Sequence, residues 1–296
     1  MQNDTSFNIL ASYAYLKNQS FLNDLIENAR RKNINLMFDS GAVTLRKAKG
    51  ADRDFITIDK YCQFIDKFGD YADKYIMLDV IGKHKESLAN YEIMIERGLN
   101  PMFVLTHYDN DFDHLRYAVS NNPNICVAGG NFKNDWVKHR YQKAYKETNN
   151  KALIHGLAFV KFPDYLQLPL CSVDSISWYT GGASFGNIHL FHMGKVVSYY
   201  QSERKQRGKV PQEIIDVLNQ LRITPAQFFD KRNFVGNKSI AILINAIGAI
   251  RQQRFSYTKG VRQFFAVCNQ KEFDVVKIVH DNWDNITYEK YVKQIS

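Results

Sequence analysis

The sequence lacks the local cysteine patterns that metal and redox sites use. Its four cysteines lie far apart, and no CxxC or CxCxxC spacing occurs, which excludes a locally encoded zinc knuckle or redox pair. Three of them fall within apolar segments of core character, as expected in a reducing compartment. The cysteines are Cys62, Cys126, Cys171 and Cys268.

The sequence also lacks segments that enter or cross a membrane. No apolar run reaches membrane-spanning length, and the N-terminus carries no signal-peptide pattern. Internal repeats and low-complexity segments are absent as well. We therefore expect a cytoplasmic protein with no membrane partner.

The composition is that of a folded protein with a basic excess. The 296 residues are 45% hydrophobic and 23% charged, which is ordinary for a folded soluble chain. The net charge of +9 favours a polyanionic partner. Aromatic residues reach 14%; such rings stack on unpaired bases when they lie beside basic side chains, although most of them belong to cores.

Short apolar segments alternate with segments of helical periodicity through the first 200 residues. This alternation predicts an α/β fold, a (β/α)8 TIM-type barrel. A doubly wound open sheet is the rival, but it would need a glycine-rich turn after the first strand, and Tyr13-Ala14-Tyr15-Leu16 contains no glycine. The predicted strands are 8–13, 34–38, 75–78, 101–106, 124–128, 152–158, 171–178 and 187–191.

The chain changes character after Tyr200. A basic, polar connector covers 202–209, and four segments of helical periodicity come after it. We therefore predict two domains, the barrel over 1–200 and a helical, basic C-terminal region over 201–296. The predicted helices of this second region are 212–221, 225–229, 239–251 and 257–267.

Carboxylates and glycines follow several predicted strands, and parallel barrel strands bring such ends to one face. Each carboxylate also has a simpler interpretation, because Asp39 could form a turn, and Asp79 or Asp174 could cap the next helix or loop. Two carboxyl groups about 5 Å apart perform glycosyl transfer in retaining enzymes. Glycines let a flat base approach the backbone. The residues are Asp39, Asp79, Gly129, Gly130, Gly156 and Asp174.

Five segments occur in the order of one family's motifs. They are Phe38-Asp39-Ser40-Gly41-Ala42, Leu78-Asp79, Ala128-Gly129-Gly130, His155-Gly156-Leu157-Ala158 and Val173-Asp174-Ser175. With them the chain resembles, over residues 8–190, the tRNA-guanine transglycosylases and the phage and bacterial 7-deazaguanine DNA transglycosylases.

The resemblance implies a base-exchange enzyme. Asp174 would attack the sugar carbon, Asp39 would act as general acid/base, and Asp79 would read the guanine-like edge of the base. The target nucleotide would be extruded from its stack. The resemblance implies a 7-deazaguanine base as the incoming substrate, DNA as the polymer with tRNA as the alternative, a possible homodimer, and no cofactor. It assigns base binding also to Ser40, Gly41, Gly129, Gly130, Gly156 and Leu157.

The chain departs from the family at three places. The structural zinc motif is absent, which favours DNA over tRNA. Val43 replaces the aromatic residue that stacks on the base, and Ala128 replaces a glutamine that helps to recognise it. Tyr13 and Trp178 are candidate replacements for the stacking ring.

Two other functions stay open. The same carboxylates could serve a base-excising DNA glycosylase that ends in water attack, or the barrel could bind nucleic acid without catalysis. A metal centre is disfavoured, because His189 and His192 fall on opposite faces of a predicted strand. A nucleic-acid surface, or merely a solvated one, is predicted at Arg204 to Lys209, with Arg251, Arg254, Lys259 and Arg262.

Overall fold

The computed structural model describes residues 7–47, 56–105, 112–128, 134–159 and 162–295. The chain forms two compact units, one of Met1–Ser175 with Gly260–Cys268, the other of Ile176–Lys259 with Asn269–Ser296. This division differs from the predicted boundary at residue 200 in two ways: residues 176–200 belong to the second unit, and residues 260–268 return to the first. Among the described residues, no helix combines the length and apolarity needed to cross a membrane.

Ten strands are seen in the described part of the chain. They are β1 (Phe7–Ser12), β2 (Ile34–Asp39), β3 (Lys74–Tyr75), β4 (Phe103–Leu105), β5 (Asn124–Ala128), β6 (Leu153–Leu157), β7 (Leu170–Ser175), β8 (Ile188–His192), β9 (Lys195–Tyr199) and β10 (Arg262–Val267). Eight of them form one parallel sheet in the order β3-β2-β1-β10-β7-β6-β5-β4.

The sheet of the first unit is curled, and the fold is TIM-barrel-like. Backbone contacts join the segment after β3 to the segment before β4. The amide of Met102 donates to the carbonyl of Tyr75 at 2.8 Å, and the amide of Met77 donates to the carbonyl of Met102 at 3.0 Å. Ile76 and Met102 form a parallel bridge at the same place. The strands at the two ends of the sheet order therefore approach each other.

The strand predicted at 187–191 is present, but its predicted place in the barrel was wrong. It corresponds to β8 (Ile188–His192), which pairs antiparallel with β9 and lies in the second unit. The eighth strand of the parallel sheet is β10, within the segment 257–267 that was predicted as a helix. Phe264 and Phe265 are both buried although they face opposite sides of the sheet. A short strand buried on both faces has no alternation to separate it from a buried helix.

The sequence predicts helices in the first unit over 23–32, 57–68, 86–96, 112–119 and 135–148, and the structure has helices close to all five. It adds a short helix at 42–47, where the sequence predicts a loop. Asn18 caps the first helix through the amides of Ser20 and Phe21, and Thr57 caps a later one through the amide of Lys60; such caps satisfy amides that have no partner within the helix. The helices are α1 (Gln19–Arg30), α2 (Ala42–Lys47), α3 (Ile58–Phe68), α4 (His84–Glu96), α5 (Phe112–Asn121) and α6 (Asn134–Glu147).

The second unit is built around one buried helix. Its helices are α7 (Ser177–Ala183), α8 (Gln201–Lys205), α9 (Gln212–Gln220), α10 (Pro225–Phe229), α11 (Ile240–Tyr257), α12 (Gln270–Asp281) and α13 (Tyr288–Gln294). Residues 240–250 of α11 are all buried, and this helix packs against β8 and α7. The sequence Thr180-Gly181-Gly182-Ala183-Ser184 predicts a loop because of its two glycines, but the segment lies largely within α7.

Candidate active site

Asp39 and Asp174 lie on the same face of the curled sheet, near the C-terminal ends of their strands. Alternate residues of a strand share a face, and so do paired residues of neighbouring parallel strands. Asp174 on β7 pairs with Phe264 on β10, Ala266 on β10 pairs with Leu10 on β1, and Ser12 on β1 pairs with Asp39 on β2. Phe264 and Ala266 are two residues apart, and so are Leu10 and Ser12, so all six residues share one face. The register therefore places the two side chains on one face of the sheet, with β10 and β1 between their strands.

Asp39 is half-buried and shapes the turn that comes after it. Its Oδ2 accepts a hydrogen bond of 3.0 Å from the amide of Gly41. Gly41 has φ of +88°, and a Cβ there would lie 2.6 Å from the Cβ of Ala14, so this turn requires glycine. Asp39 is thus a turn former, as its simpler interpretation held, and it also faces the site.

The carboxyl of Asp39 is biased toward its protonated form. Burial raises its pKa, the hydroxyl of Ser12 lowers it, the charge of Asp174 raises it, and the amide of Gly41 lowers it. Burial is the largest of these causes. A carboxyl with a raised pKa and an ionised carboxylate nearby are the two groups that acid-assisted glycosyl transfer uses.

Asp79 follows β3 and lies close to Asp39. Burial raises the pKa of Asp79 to about 7, and the charge of Asp39 acts in the same direction. The capping interpretation of Asp79 is wrong, because α4 begins only at His84 and is preceded by Lys83. Asp79 is therefore a buried carboxyl of the same cluster rather than the first turn of a helix.

Asp174 is buried and held through one of its oxygens. Its Oδ1 accepts a hydrogen bond of 2.8 Å from the amide of Ala158 and lies 3.2 Å from Nε2 of His155. The other ring nitrogen of His155, Nδ1, lies 2.8 Å from Oγ of Ser172. The sequence did not predict this chain of hydrogen bonds, although Ser172 and Asp174 are two residues apart and so share a face of β7.

The three carboxyl groups form one electrostatic cluster. The pKa of Asp39 responds to Asp174, and that of Asp79 responds to Asp39. Cys126 lies among them: burial, the largest cause, and the charges of all three carboxyl groups raise the pKa of its thiol. Cys126 pairs with His155 across β5 and β6 and so shares the face of the site.

The remaining predicted residues divide into three groups. Ser40 is fully buried, and its Oγ has no hydrogen-bond partner within the described ranges; an unsatisfied buried hydroxyl calls for a missing ligand or water. Leu157 lies two residues beyond His155 on the same face and is half-buried. Gly129 and Gly130 lie outside the described residues.

Gly156 faces away from the site. A Cβ on it would lie 3.1 Å from Oη of Tyr141 and 3.3 Å from the Cβ of Phe159. Its small size is therefore needed where α6 packs on the sheet. Only its backbone, which pairs with Val127 and Val173, remains for the predicted contact with a base.

The two proposed replacements for the stacking ring are both buried. Tyr13 packs against Tyr61 and Phe64, with ring centroids 5.3 and 4.9 Å away. Trp178 is buried in the second unit. Sequence reasoning overlooked Tyr15, which is 42% exposed and whose hydroxyl accepts a 3.1 Å hydrogen bond from Thr44.

Two arginines of the predicted basic surface, Arg204 and Arg262, do not contribute to a surface beside the site. Arg204 is buried in the second unit: its Nε donates to the carbonyl of Phe228 at 2.7 Å, and its guanidinium lies 4.0 Å from the ring centroid of Phe234. Arg262 is the first residue of β10. It therefore lies at the N-terminal end of the parallel sheet, opposite the end that holds Asp39 and Asp174.

Within the described ranges, no group of three His, Cys, Asp or Glu residues is arranged to hold a metal ion. No protein-family model matches the chain. Comparison with curated proteins gives no significant match. Function is therefore inferred from the site and from the motifs.

Proposed function

We propose that this chain is a base-exchange transglycosylase that replaces guanine in DNA with a 7-deazaguanine base through a covalent intermediate on Asp174. One observation carries the proposal, the pairing of Asp174 with Asp39. Asp174 is held by two donors on a single oxygen. Asp39 lies on the same face of the sheet, interacts electrostatically with Asp174 and has a raised pKa. A carboxylate held by hydrogen bonds suits the nucleophile, and a carboxyl with a raised pKa suits the proton donor.

The reaction proceeds in two balanced steps. Oδ2 of Asp174 attacks C1′ of the extruded nucleotide, the C1′–N9 bond breaks, and its electron pair leaves with guanine, which takes a proton from Asp39. The incoming base then loses its N9 proton to Asp39 and attacks C1′ while the bond to Asp174 breaks. The proton given in the first step returns in the second, so no cofactor is consumed.

Asp79 and Ser40 supply the recognition of the base. A guanine edge offers two N–H donors, which an ionised carboxylate accepts. Because the pKa of Asp79 is about 7, a large part of the population is protonated at neutral pH, and binding of such an edge should strengthen as pH rises through this range. The Oγ of Ser40 has no hydrogen-bond partner within the described residues, but the residue has no exposed surface, so a second contact with the base requires its side chain to move.

The proposal extends to the fold and the polymer. A closed (β/α)8 barrel in the first unit is supported by the bridge between Ile76 and Met102. DNA is favoured over tRNA because the sequence lacks the zinc motif of the tRNA enzymes, and the net charge of +9 suits either polymer. A cytoplasmic location follows from the expectation of reduced cysteines.

The test compares polymers and bases in one assay. The protein is incubated with isotope-labelled guanine or a 7-deazaguanine and with single-stranded DNA, double-stranded DNA or unmodified tRNA, and nucleosides are measured by mass spectrometry. We expect label in DNA with the wild type and none with Asp174→Asn, which keeps the shape of the side chain. Release of guanine with abasic sites and no incorporation would instead identify a base-excising glycosylase.

A further inference from the structure

We propose that Ser172 and His155 form a hydrogen-bonded positioning chain that turns Asp174 so that Oδ2 faces the sugar. The proposal rests on the proposed function, in which Asp174 is the nucleophile. It assigns roles to two residues to which the sequence motifs give none, and it explains why an imidazole is buried beside Asp174.

One oxygen of Asp174 is occupied and the other is available. Both hydrogen bonds, from the amide of Ala158 and from Nε2 of His155, reach Oδ1. Within the part of the chain that the structure describes, no hydrogen bond reaches Oδ2. A carboxylate fixed in this way presents one oxygen in a defined direction, which is the condition for in-line attack on a bound sugar.

The direction of the hydrogen bonds follows from the chemistry of the groups. An ionised carboxylate only accepts, so Nε2 of His155 must carry the proton that it shares with Asp174. In a neutral imidazole Nδ1 is then the acceptor, and the hydroxyl of Ser172 donates to it over 2.8 Å. Asp174 therefore fixes the tautomer of His155, and Ser172 satisfies the remaining ring nitrogen and holds the ring in place.

The surroundings keep this chain of hydrogen bonds rigid. His155 is fully buried, and its ring meets that of Phe264 edge-on with centroids 6.0 Å apart. Ala158, the second donor, has φ of +51°, a left-handed conformation that costs free energy in a residue other than glycine. The amide of Ala158 points at Asp174 from this strained backbone. The strain lowers the net stability of the fold, and in return the carboxylate is held in one orientation.

The two donors act in both halves of the reaction. When Oδ2 has bonded to C1′, Oδ1 becomes the carbonyl oxygen of the glycosyl ester and keeps both hydrogen bonds. As the C1′–Oδ2 bond breaks, the returning negative charge on the carboxylate is again met by donors that are already in place. Loss of His155 should therefore slow the formation and the breakdown of the ester.

Ser, His and Asp also make up the triad of serine hydrolases, but the placement here differs. Ser172 lies two residues before Asp174 on β7 and so is farther from the C-terminal end of the sheet, where substrates of parallel barrels bind. His155 has no exposed surface. Ser172 is thus a support of the imidazole rather than an attacking group.

The first experiment measures kcat and KM for base exchange. His155→Phe keeps the ring and removes both nitrogens, and we expect kcat to fall by about 100-fold with little change in the KM for DNA, since misorientation of a reacting group has effects of this size. His155→Gln restores one donor and should recover part of the loss.

The chain offers a matched control in the second unit. His189 is a partly buried histidine whose Nδ1 lies 3.0 Å from Oγ of Ser198, but no carboxylate contact to its ring is seen among the described residues. His189→Phe should leave kcat and KM as in the wild type. A folded His155→Phe variant with wild-type kcat would overturn the positioning role, whereas a wild-type protein that exchanges no base would overturn the proposed function.

A second measurement decides the proposal without turnover. Nitrogen-15 spectra of the histidine rings should show His155 as the Nε2–H tautomer, with signals that shift in Ser172→Ala and in Asp174→Asn. His155→Phe identifies the signals of His155 among those of the eight histidine rings, and His189→Phe identifies those of the matched control. The Nδ1–H tautomer at His155, or signals that neither substitution moves, would overturn the chain of hydrogen bonds even if exchange activity were absent.

Discussion

At the scale of single residues, the site consists of carboxyl groups whose environments differ. Asp174 is held by two donors on one oxygen, while Asp79 is buried with a pKa raised to about 7. Such differences between neighbouring carboxyl groups are the usual way in which one site holds both an acid and a nucleophile. The sequence predicted Asp39 and Asp174 from their positions at strand ends, but the partners of Asp174 depend on strand register, which residue order alone does not give.

The raised pKa of Asp79 predicts a pH-dependent stability. The folded protein keeps a proton on Asp79 that the unfolded chain releases above its ordinary pKa of 3.8. The free energy of unfolding should therefore fall as pH rises from about 4 to 7. Asp79→Asn removes this pH dependence. The free energy of unfolding of the variant should therefore exceed that of the wild type by up to about 4 kcal/mol at pH 8 and by almost nothing at pH 4.

Urea unfolding of wild type and Asp79→Asn at both pH values measures this effect. An equal difference between the two proteins at pH 4 and pH 8 would contradict the raised pKa. The same variant should lose base exchange because its amide cannot accept two N–H donors as the carboxylate does. Higher stability together with lower activity is the expected combination at a functional residue.

Gly41 predicts a stability loss that has a built-in control. Gly41→Ala combines a positive φ with a Cβ 2.6 Å from Ala14, whereas Gly98 has φ of +78° and nothing within 4 Å of a Cβ. Both variants carry the backbone strain, but only Gly41→Ala carries the overlap. We expect Gly41→Ala to lower the free energy of unfolding by about 1–3 kcal/mol more than Gly98→Ala.

The same pair of variants separates stability from activity. Gly41→Ala should also slow base exchange, since the amide of Gly41 holds Oδ2 of Asp39. Gly98→Ala should not. Equal stability losses in the two variants would show that the turn beside Asp39 has more room than the structure gives it.

At the scale of elements, prediction succeeded where an element had a clear boundary signal. The strand over 124–128 was predicted with the bounds that β5 has, and the helix predicted from Thr57 begins at Ile58 with Thr57 as its cap. It failed at β10, whose buried phenylalanines give no alternation, and at α7, where Gly181-Gly182 indicated a loop. Both failures have one cause, because tertiary packing overrode the local preference.

The glycines of α7 provide the test at this scale. A Cβ on Gly182 would lie 2.7 Å from the amide nitrogen of Ile242, whereas one on Gly181 would meet only side chains, the nearest at 3.3 Å. Alanine favours a helix over glycine by about 1 kcal/mol, yet Gly182→Ala should destabilise the protein by about 2 kcal/mol or more through backbone overlap. Gly181→Ala should cost far less.

Chemical unfolding of the two variants gives the comparison directly. Because both substitutions add one methyl group to the same helix, the difference in their free energies of unfolding reports the close approach of Ile242 alone. Similar free energies would mean that α7 and α11 are farther apart than the structure places them.

At the scale of the whole molecule, the basic excess is distributed more selectively than the sequence indicated. Lys205 and Arg207 are exposed, but Arg204 beside them in the chain is buried against aromatic rings. Sequence composition gives the net charge, whereas the burial of one arginine within a basic run depends on which rings fold over it. Arg204 therefore contributes to the core of the second unit and not to a surface for nucleic acid.

The salt dependence of DNA binding tests whether this run contacts phosphates. Lys205→Gln with Arg207→Gln should weaken binding at low salt, and the slope of log affinity against log salt should fall by about 2 if both contact the backbone. The control is the double variant Lys146→Gln with Lys151→Gln, which removes the same charge. These lysines lie in the segment that leads into the N-terminal end of β6, so their loss should change the slope much less. Equal effects would show that only net charge matters.

The covalent role of Asp174 is tested most directly by mapping the intermediate. The protein is incubated with guanine-containing DNA in the absence of acceptor base, denatured, digested with protease and nuclease, and its peptides are analysed by mass spectrometry. The account predicts a deoxyribosyl adduct on Asp174 that disappears in Asp174→Asn and on addition of a 7-deazaguanine before denaturation. Release of guanine without an adduct, or an adduct on any other residue, would contradict it.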